Sequence, residues 1–358
     1  MMRQDKLPLL EDFKAKIGDK STALIILKNS RGMQVALTNF GARIVSIIVP
    51  DKSGNPTDVV LGFNTISQYL EADEIYHGTT VGRYANRIAG GSFSLNGKTY
   101  HIEPNNGSNA LHGGKNGFHQ HIWDRRLHNP TGVTFYYNSP DGEEGFPGNL
   151  NTSVDYFLTE DNELKIHYRA TTDQDTIVNL TNHAYFNLNG EGAGEVLDHF
   201  IQINAETFLP INGQHVPTGE VATVENTPFD FRQSRLLSST IHDQEQQLLH
   251  GEGGYDHTFV LALQKRYEPV LVASAYATQS GIKLDVSTTE PGVQFYTGNA
   301  LSGKDKGKSG NAYAKQHAFC FETQHFPNAP NQPEFPSTIL KAGHTYRSQT
   351  IYRFNVIK

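Results

Sequence analysis

Short runs in which apolar and polar residues alternate, each closed by a turn rich in glycine, asparagine or charge, constrain this chain most. Residues 133–137, 152–158 and 164–170 alternate in this way, as do Ile282, Leu284 and Val286. A period of two sends successive side chains to opposite faces of a strand, so each run can bury one face and wet the other. Thr159-Glu160-Asp161-Asn162-Glu163 supplies a polar turn between two of the runs. Asn96-Gly97, between residues 92–95 and 98–102, is the strongest hairpin signal. The β-branched stretches 23–27 and 44–49 add expected strands, with turns at residues 29–32 and 39–41. Further strands are expected at residues 259–263 and 344–354, the last with Tyr346, Tyr352 and Phe354 on one face. Helix is sparse. Ile66, Tyr69 and Leu70 are spaced for one short helix, and residues 241–250 form a weak helix or a loop. With 33 glycines, 16 tyrosines and 20 phenylalanines, the chain reads as all-β.

No Pro-, Gly- or Ser-rich tract divides the 358 residues, so residues 1–358 are expected to form a single domain. The net charge of −7 argues against a nucleic-acid partner. No stretch has the length of a membrane span, and residues 1–18 lack the apolar core of a signal peptide. A lone cysteine, Cys320, permits no disulfide within the chain and suits a reducing compartment. A cytoplasmic protein is the expectation, although a leader already removed would leave no trace.

Polar residues set among apolar ones mark candidate chemistry. Leu180-Thr181-Asn182-His183-Ala184-Tyr185-Phe186-Asn187-Leu188 carries a histidine and a tyrosine that share a face if extended. His183 reads either as a hydrogen-bonded core histidine or as a proton donor near neutral pH. Gly82-Arg83-Tyr84-Ala85-Asn86-Arg87-Ile88 offers two arginine forks and an amide to ligand hydroxyls, or is an ordinary polar loop. In Leu111-His112-Gly113-Gly114-Lys115-Asn116-Gly117-Phe118, the glycines allow a ligand or another backbone close to His112. His119-Gln120-His121 would put two imidazoles on one strand face, but no third metal ligand accompanies them. Asp256, behind Gly253 and Gly254, either caps a turn, accepts from a ligand hydroxyl or orients a catalytic histidine. Gln294 and Tyr296 share a strand face, where Gln294 can present an amide. The run from Lys304 to Lys308 reads as solvated surface. In Phe319-Cys320-Phe321-Glu322-Thr323-Gln324-His325-Phe326-Pro327, Glu322 sits among apolar neighbours, where burial raises a carboxyl pKa toward that of a general base. Cys320 reads as a small buried hydrophobe.

Taken together and in this order, these segments resemble the aldose 1-epimerase family, also called galactose mutarotases. Asp141-Gly142-Glu143-Glu144-Gly145 and Pro217-Thr218-Gly219-Glu220 add to the likeness, which covers nearly the whole chain. It implies a large antiparallel β-sandwich of the galactose mutarotase type with the sugar in an open cleft. The implied reaction interconverts the α and β anomers of free aldoses without metal or cofactor. Matched to the family's motifs, His183 is the expected general acid, Glu322 the general base and His112 the second active-site histidine. Asn86, Arg87, Asp256 and Gln294 match sugar-hydroxyl contacts, and Tyr185 lies beside them. The chain departs from the family pattern at His119-Gln120-His121 and at Asn328. A small-molecule aldose is the implied partner, for a monomer or homodimer.

The chemistry of the residues agrees. Opening a hemiacetal ring removes a proton from the anomeric hydroxyl and gives one to the ring oxygen, which a positioned base and acid do together. A sugar-binding module would need no such pair, and a glycoside hydrolase normally uses two carboxylates flanking the bond.

Overall fold

The computed structural model describes residues 7–264 and 266–357. Two antiparallel sheets carry most of the molecule. The larger has nine strands, ordered Asp124–Leu127, Gly132–Ser139, Leu150–Leu158, Glu163–Thr172, Thr345–Val356, Ile282–Thr288, Val270–Ala277, His199–Ile203 and Arg235–Leu236. The smaller has five, ordered Ala222–Thr223, Thr207–Phe208, Asp256–Val260, Gly292–Tyr296 and Cys320–Gln324. A four-stranded sheet formed from Leu24–Lys28, Gln34–Thr38, Arg43–Pro50 and Pro56–Asp58 precedes both in the chain.

Alternation explains why the large sheet forms. In Leu150–Leu158 every second residue, from Leu150 through Val154 and Tyr156 to Leu158, is buried, and the intervening ones are not. Each such side chain contributes about 1.5–3 kcal/mol on burial, so a one-residue slip of register, which would expose the whole set, is strongly disfavoured. Their partners in the core are Leu164 and Ile166 of the next strand and Phe259, Phe295 and Phe319 from the smaller sheet side. The same continuous core takes in Ile25 and Val35 near one end of the chain and Phe354 near the other.

The expected short helix is Ile66–Glu71, begun by Thr65, whose hydroxyl accepts from the Gln68 N–H. The Asn96-Gly97 turn joins Ser92–Leu95 to Lys98–His101, with positive φ at both turn residues (51° and 76°), as the primed hairpin turn requires. Residues 241–250 become the helix Gln246–His250, because the Glu245 carboxylate accepts from the N–H groups of Gln247 and Leu248.

Two expectations are corrected. The strand placed at 259–263 runs instead from Asp256 to Val260, since the N–H groups of Leu261 and Ala262 both turn to the Pro291 carbonyl. The lysine run is not all surface. Lys304 is exposed, but the Lys308 side chain is only 7% exposed and its ammonium meets the Val45 and Val60 carbonyls, the Ser46 hydroxyl and Asp58. Four oxygens make that burial tolerable.

Candidate active site

Strand register assembles one wall of the site. In the smaller sheet Thr258, Gln294 and Glu322 lie side by side across three strands, and Asp256, Tyr296 and Cys320 form the row two residues along. Rows two apart share a face. The opposite wall comes from irregular segments stitched by backbone hydrogen bonds. Asn182 pairs with Thr80, after which the strand ends, yet the His183 N–H still donates to Thr79 O and its carbonyl accepts from Gly78 N. The imidazole is thereby held without a continuing strand. Its ring stacks on Tyr185 at 4.8 Å, so the two side chains expected to share a face do meet.

His112 has left-handed backbone (φ 52°), and its Nδ1 accepts from the Asn86 N–H at 3.1 Å. A neutral ring that accepts at Nδ1 carries its proton on Nε2, which leaves that N–H for a ligand. The glycines after His112 serve backbone contact, one of the uses open to them in the sequence. A Cβ on Gly113 would lie 2.0 Å from the Gly82 carbonyl oxygen.

These walls enclose a cleft of about 570 Å³, lined by Asn86, Arg87, His112, His183, Tyr185, Asp256 and Glu322 among others. Seven of the eight residues singled out from the sequence therefore share one pocket. The eighth, Gln294, stands behind it: its amide donates to Asp256 at 2.7 Å, and its oxygen accepts from the Thr258 hydroxyl at 2.5 Å. His183 Nε2 lies 3.5 Å from Glu322 Oε1, with both side chains at most 5% exposed. The Cys320 thiol sits 3.6 Å from His183 Nδ1. Arg87 reaches Asp256 at 3.4 Å and donates to Asn106 at 3.0 Å.

Burial sets the electrostatics. It pushes the Glu322 carboxyl well above its usual range, and the Asp256 charge adds to this while Arg87 opposes it. It lowers His183 to about 4 and His112 well below the ordinary imidazole value, so both rings are neutral at pH 7. Burial would raise Asp256 as well, but Arg87, His215 and the Gln294 amide hold it below the normal carboxylate value. One ligand atom from each of His112, His183 and Glu322 lies within 4.8 Å of the others, so a small cation could use the same three groups.

The cleft also contains residues that the sequence reading passed over. Tyr76 packs its ring 4.6 Å from His112 and 6.0 Å from His183. Glu74 accepts from the Tyr76 N–H at 2.8 Å and from the Tyr185 hydroxyl, and burial raises its pKa. Their only signal was an acid and an aromatic residue two apart before Gly78. Tyr296 was noted on the right strand face but not as a lining residue.

Two other sequence features go elsewhere. Arg83 is buried, and its guanidinium bonds the Ser139 hydroxyl and the carbonyls of Ser139, Pro140 and Pro147, fastening loops instead of facing a ligand. His119 and His121 do not share a strand face. They flank Gln120 at a 3-10 turn, His119 against Tyr76 and His121 stacked on Tyr137.

The Aldose 1-epimerase family profile matches residues 23–353. The chain belongs to the aldose 1-epimerase family. It is 45% identical over 324 residues to a galactose mutarotase of Sus scrofa, covering 90% of this chain and 92% of the relative. The corresponding protein of Homo sapiens is 44% identical with the same coverage. An aldose 1-epimerase of Escherichia coli K12 is 37% identical over 334 residues, 92% of this chain and 94% of that one. Among solved structures, an aldose epimerase homologue from C. elegans superposes with a TM-score of 0.86 at 33% identity, covering 94% of this chain and all of the other. A galactose 1-epimerase from Lactobacillus acidophilus gives 0.83 at 26% identity, covering 96% and 97%. The mostly antiparallel β architecture is the galactose mutarotase fold. This aldose 1-epimerase is a carbohydrate isomerase whose substrate is a small aldose.

Proposed function

We propose that the enzyme interconverts the α and β anomers of free aldohexoses, galactose and glucose among them, with Glu322 as base and His183 as acid. The observation that carries this reading is the buried 3.5 Å contact between His183 Nε2 and Glu322 Oε1 in the cleft wall.

With Glu322 raised and His183 lowered, the pair holds one transferable proton between the two titrations. Moving that proton from carboxyl to imidazole arms the pair. Glu322 then takes the proton of the anomeric hydroxyl while His183 delivers one to the ring oxygen, and the C1–O5 bond breaks to give the free aldehyde. Rotation about C1–C2 and reclosure with the transfers reversed yields the other anomer. In this reading the His112 Nε2–H donates to the same oxygens, and Asn86, Arg87, Asp256 and Tyr185, which line the same cleft, hold sugar hydroxyls. Gln294 supports that set through Asp256. Effective positioning and acid–base transfer of about 10²–10⁴-fold per group are the expected sources of rate.

The cleft is lined by Asp73, Glu74, Glu252, Asp256 and Glu322 against Arg87 and Lys115, an excess of carboxyl groups that suits a neutral sugar better than a phosphorylated one. The continuous core supports the reading of one domain, and a lone, buried free thiol is in keeping with the proposed cytoplasmic setting. Polarimetry of freshly dissolved α-galactose and α-glucose tests the activity. Acceleration that survives a chelator is expected, whereas loss of rate on chelation would move His112, His183 and Glu322 into a metal site.

A further inference from the structure

A second cavity, of about 910 Å³, shares no lining residue with the sugar cleft. It opens where the strand Thr345–Val356 runs past the end of its neighbour Ile282–Thr288. Thr288 pairs with Thr350, so residues 345–349 keep the strand Glu163–Thr172 as their ladder partner on one side only. In that stretch Arg347 stands directly opposite Arg169 in the antiparallel register. Like charges in that position repel. Among the described residues neither arginine has a carboxylate within ion-pair distance. Arg266, Lys341, His167 and His344 line the same cavity.

The nearby carboxylates are engaged elsewhere. Asp155, which also lines the cavity, accepts from the Thr134 hydroxyl at 2.5 Å. Asp175, beside Lys341 and His344, accepts from the Ala342 N–H at 2.9 Å. Glu290 pairs with His325 at 2.5 Å. This concentration of positive charge sits on a chain of net charge −7, so it is not the by-product of a basic composition. Tyr267, 99% exposed, offers a free aromatic face at the same cavity.

We propose that this cavity binds a phosphorylated small molecule of nucleotide size, with its phosphate between Arg169 and Arg347. Two guanidinium forks match phosphate oxygens in geometry as well as charge, and a bound dianion removes their mutual repulsion. The volume lies in the range of small-molecule sites and exceeds what a bare ion fills. Tyr267 can stack against a planar base.

Titration calorimetry of the full-length enzyme at low ionic strength, with three probes, decides this. The probes are a nucleoside diphosphate, a hexose 1-phosphate and inorganic phosphate. One of the two esters is expected to bind at least about 10-fold more tightly than inorganic phosphate, and Arg169→Gln/Arg347→Gln to weaken it by at least about 10-fold. Mutarotation by that variant should be unchanged and its melting temperature no lower, since a repulsive pair has been removed. Tyr267→Ala should weaken the diphosphate and leave the hexose phosphate unaffected, which distinguishes the two sources. Absence of saturable ester binding, equal binding by the double variant, or displacement by free galactose would each overturn the inference. Crystals of the wild-type enzyme soaked with the tighter ester give a readout independent of the variants; phosphate density away from Arg169 and Arg347, or none, counts against it.

Discussion

In the sugar cleft the proposed acid and base are buried and face each other, whereas in the basic cavity Arg169 and Arg347 are exposed and face a charge of their own sign. His183 and Glu322 are at most 5% exposed and lie 3.5 Å apart; Arg169 and Arg347 project from the outer surface of the large sheet. Proton transfer gains from a desolvated pair whose pKa values are displaced from their ordinary values, because such groups give and take protons readily. Anion capture gains instead from cations left accessible and unpaired, because a pre-formed ion pair would have to be broken first. Each region is organised around what it lacks until a ligand arrives.

The largest effect should come from Glu322→Gln, which keeps the shape and removes the base: kcat for mutarotation is expected to fall by roughly 10²–10⁴-fold with sugar binding largely retained. Turnover near that of the parent enzyme would remove Glu322 from the reaction. His183→Asn should cost a loss of the same order, and an unchanged rate would pass the acid role to His112. The pH profile comes next. Below about 4 His183 binds a second proton in the pair and no base remains. Above the raised pKa of Glu322 the pair has lost its proton and no acid remains. A bell-shaped kcat/KM is therefore expected, and a rate that only climbs with alkaline pH would show that the histidine supplies no proton. Cys320→Ala should slow turnover only a few-fold, because it removes the thiol beside His183 Nδ1 and leaves Nε2 and Glu322 in place. The smallest effect sharpens the contrast: raising salt from about 0.05 to 0.5 M should scarcely change mutarotation by buried groups while abolishing ester binding at the exposed arginines. Equal salt sensitivity in both assays would erase the distinction.

Two arginines four positions apart show how far the sequence could be read. Arg83 and Arg87 occupy one glycine-bordered loop, and both have the donors to hold a sugar. Only Arg87 reaches the cleft, where it meets Asp256; Arg83 spends its guanidinium on Ser139, Pro140 and Pro147. Nothing local separates them, since the carbonyls that claim Arg83 lie more than fifty residues away. The same holds for Gln294, correctly placed beside Glu322 by strand register yet turned to Asp256. Glu74 and Tyr76 escaped notice because they belong to no strand, and it is their contacts with Tyr185, His112 and His183 that give them a place in the cleft.

By itself the sequence indicated most of the long strands and their inward faces, and offered a carboxyl and an imidazole as candidates for acid–base work. Period-two alternation and turn chemistry act over a few residues, and an isolated carboxyl among aromatics announces its own desolvation. Only the tertiary structure decided which polar side chains meet in the cleft, which fasten loops, and that Arg169 would face Arg347. Those outcomes depend on register and on contacts between distant segments, and the hydrogen bonds that choose among them are made only once the core has closed.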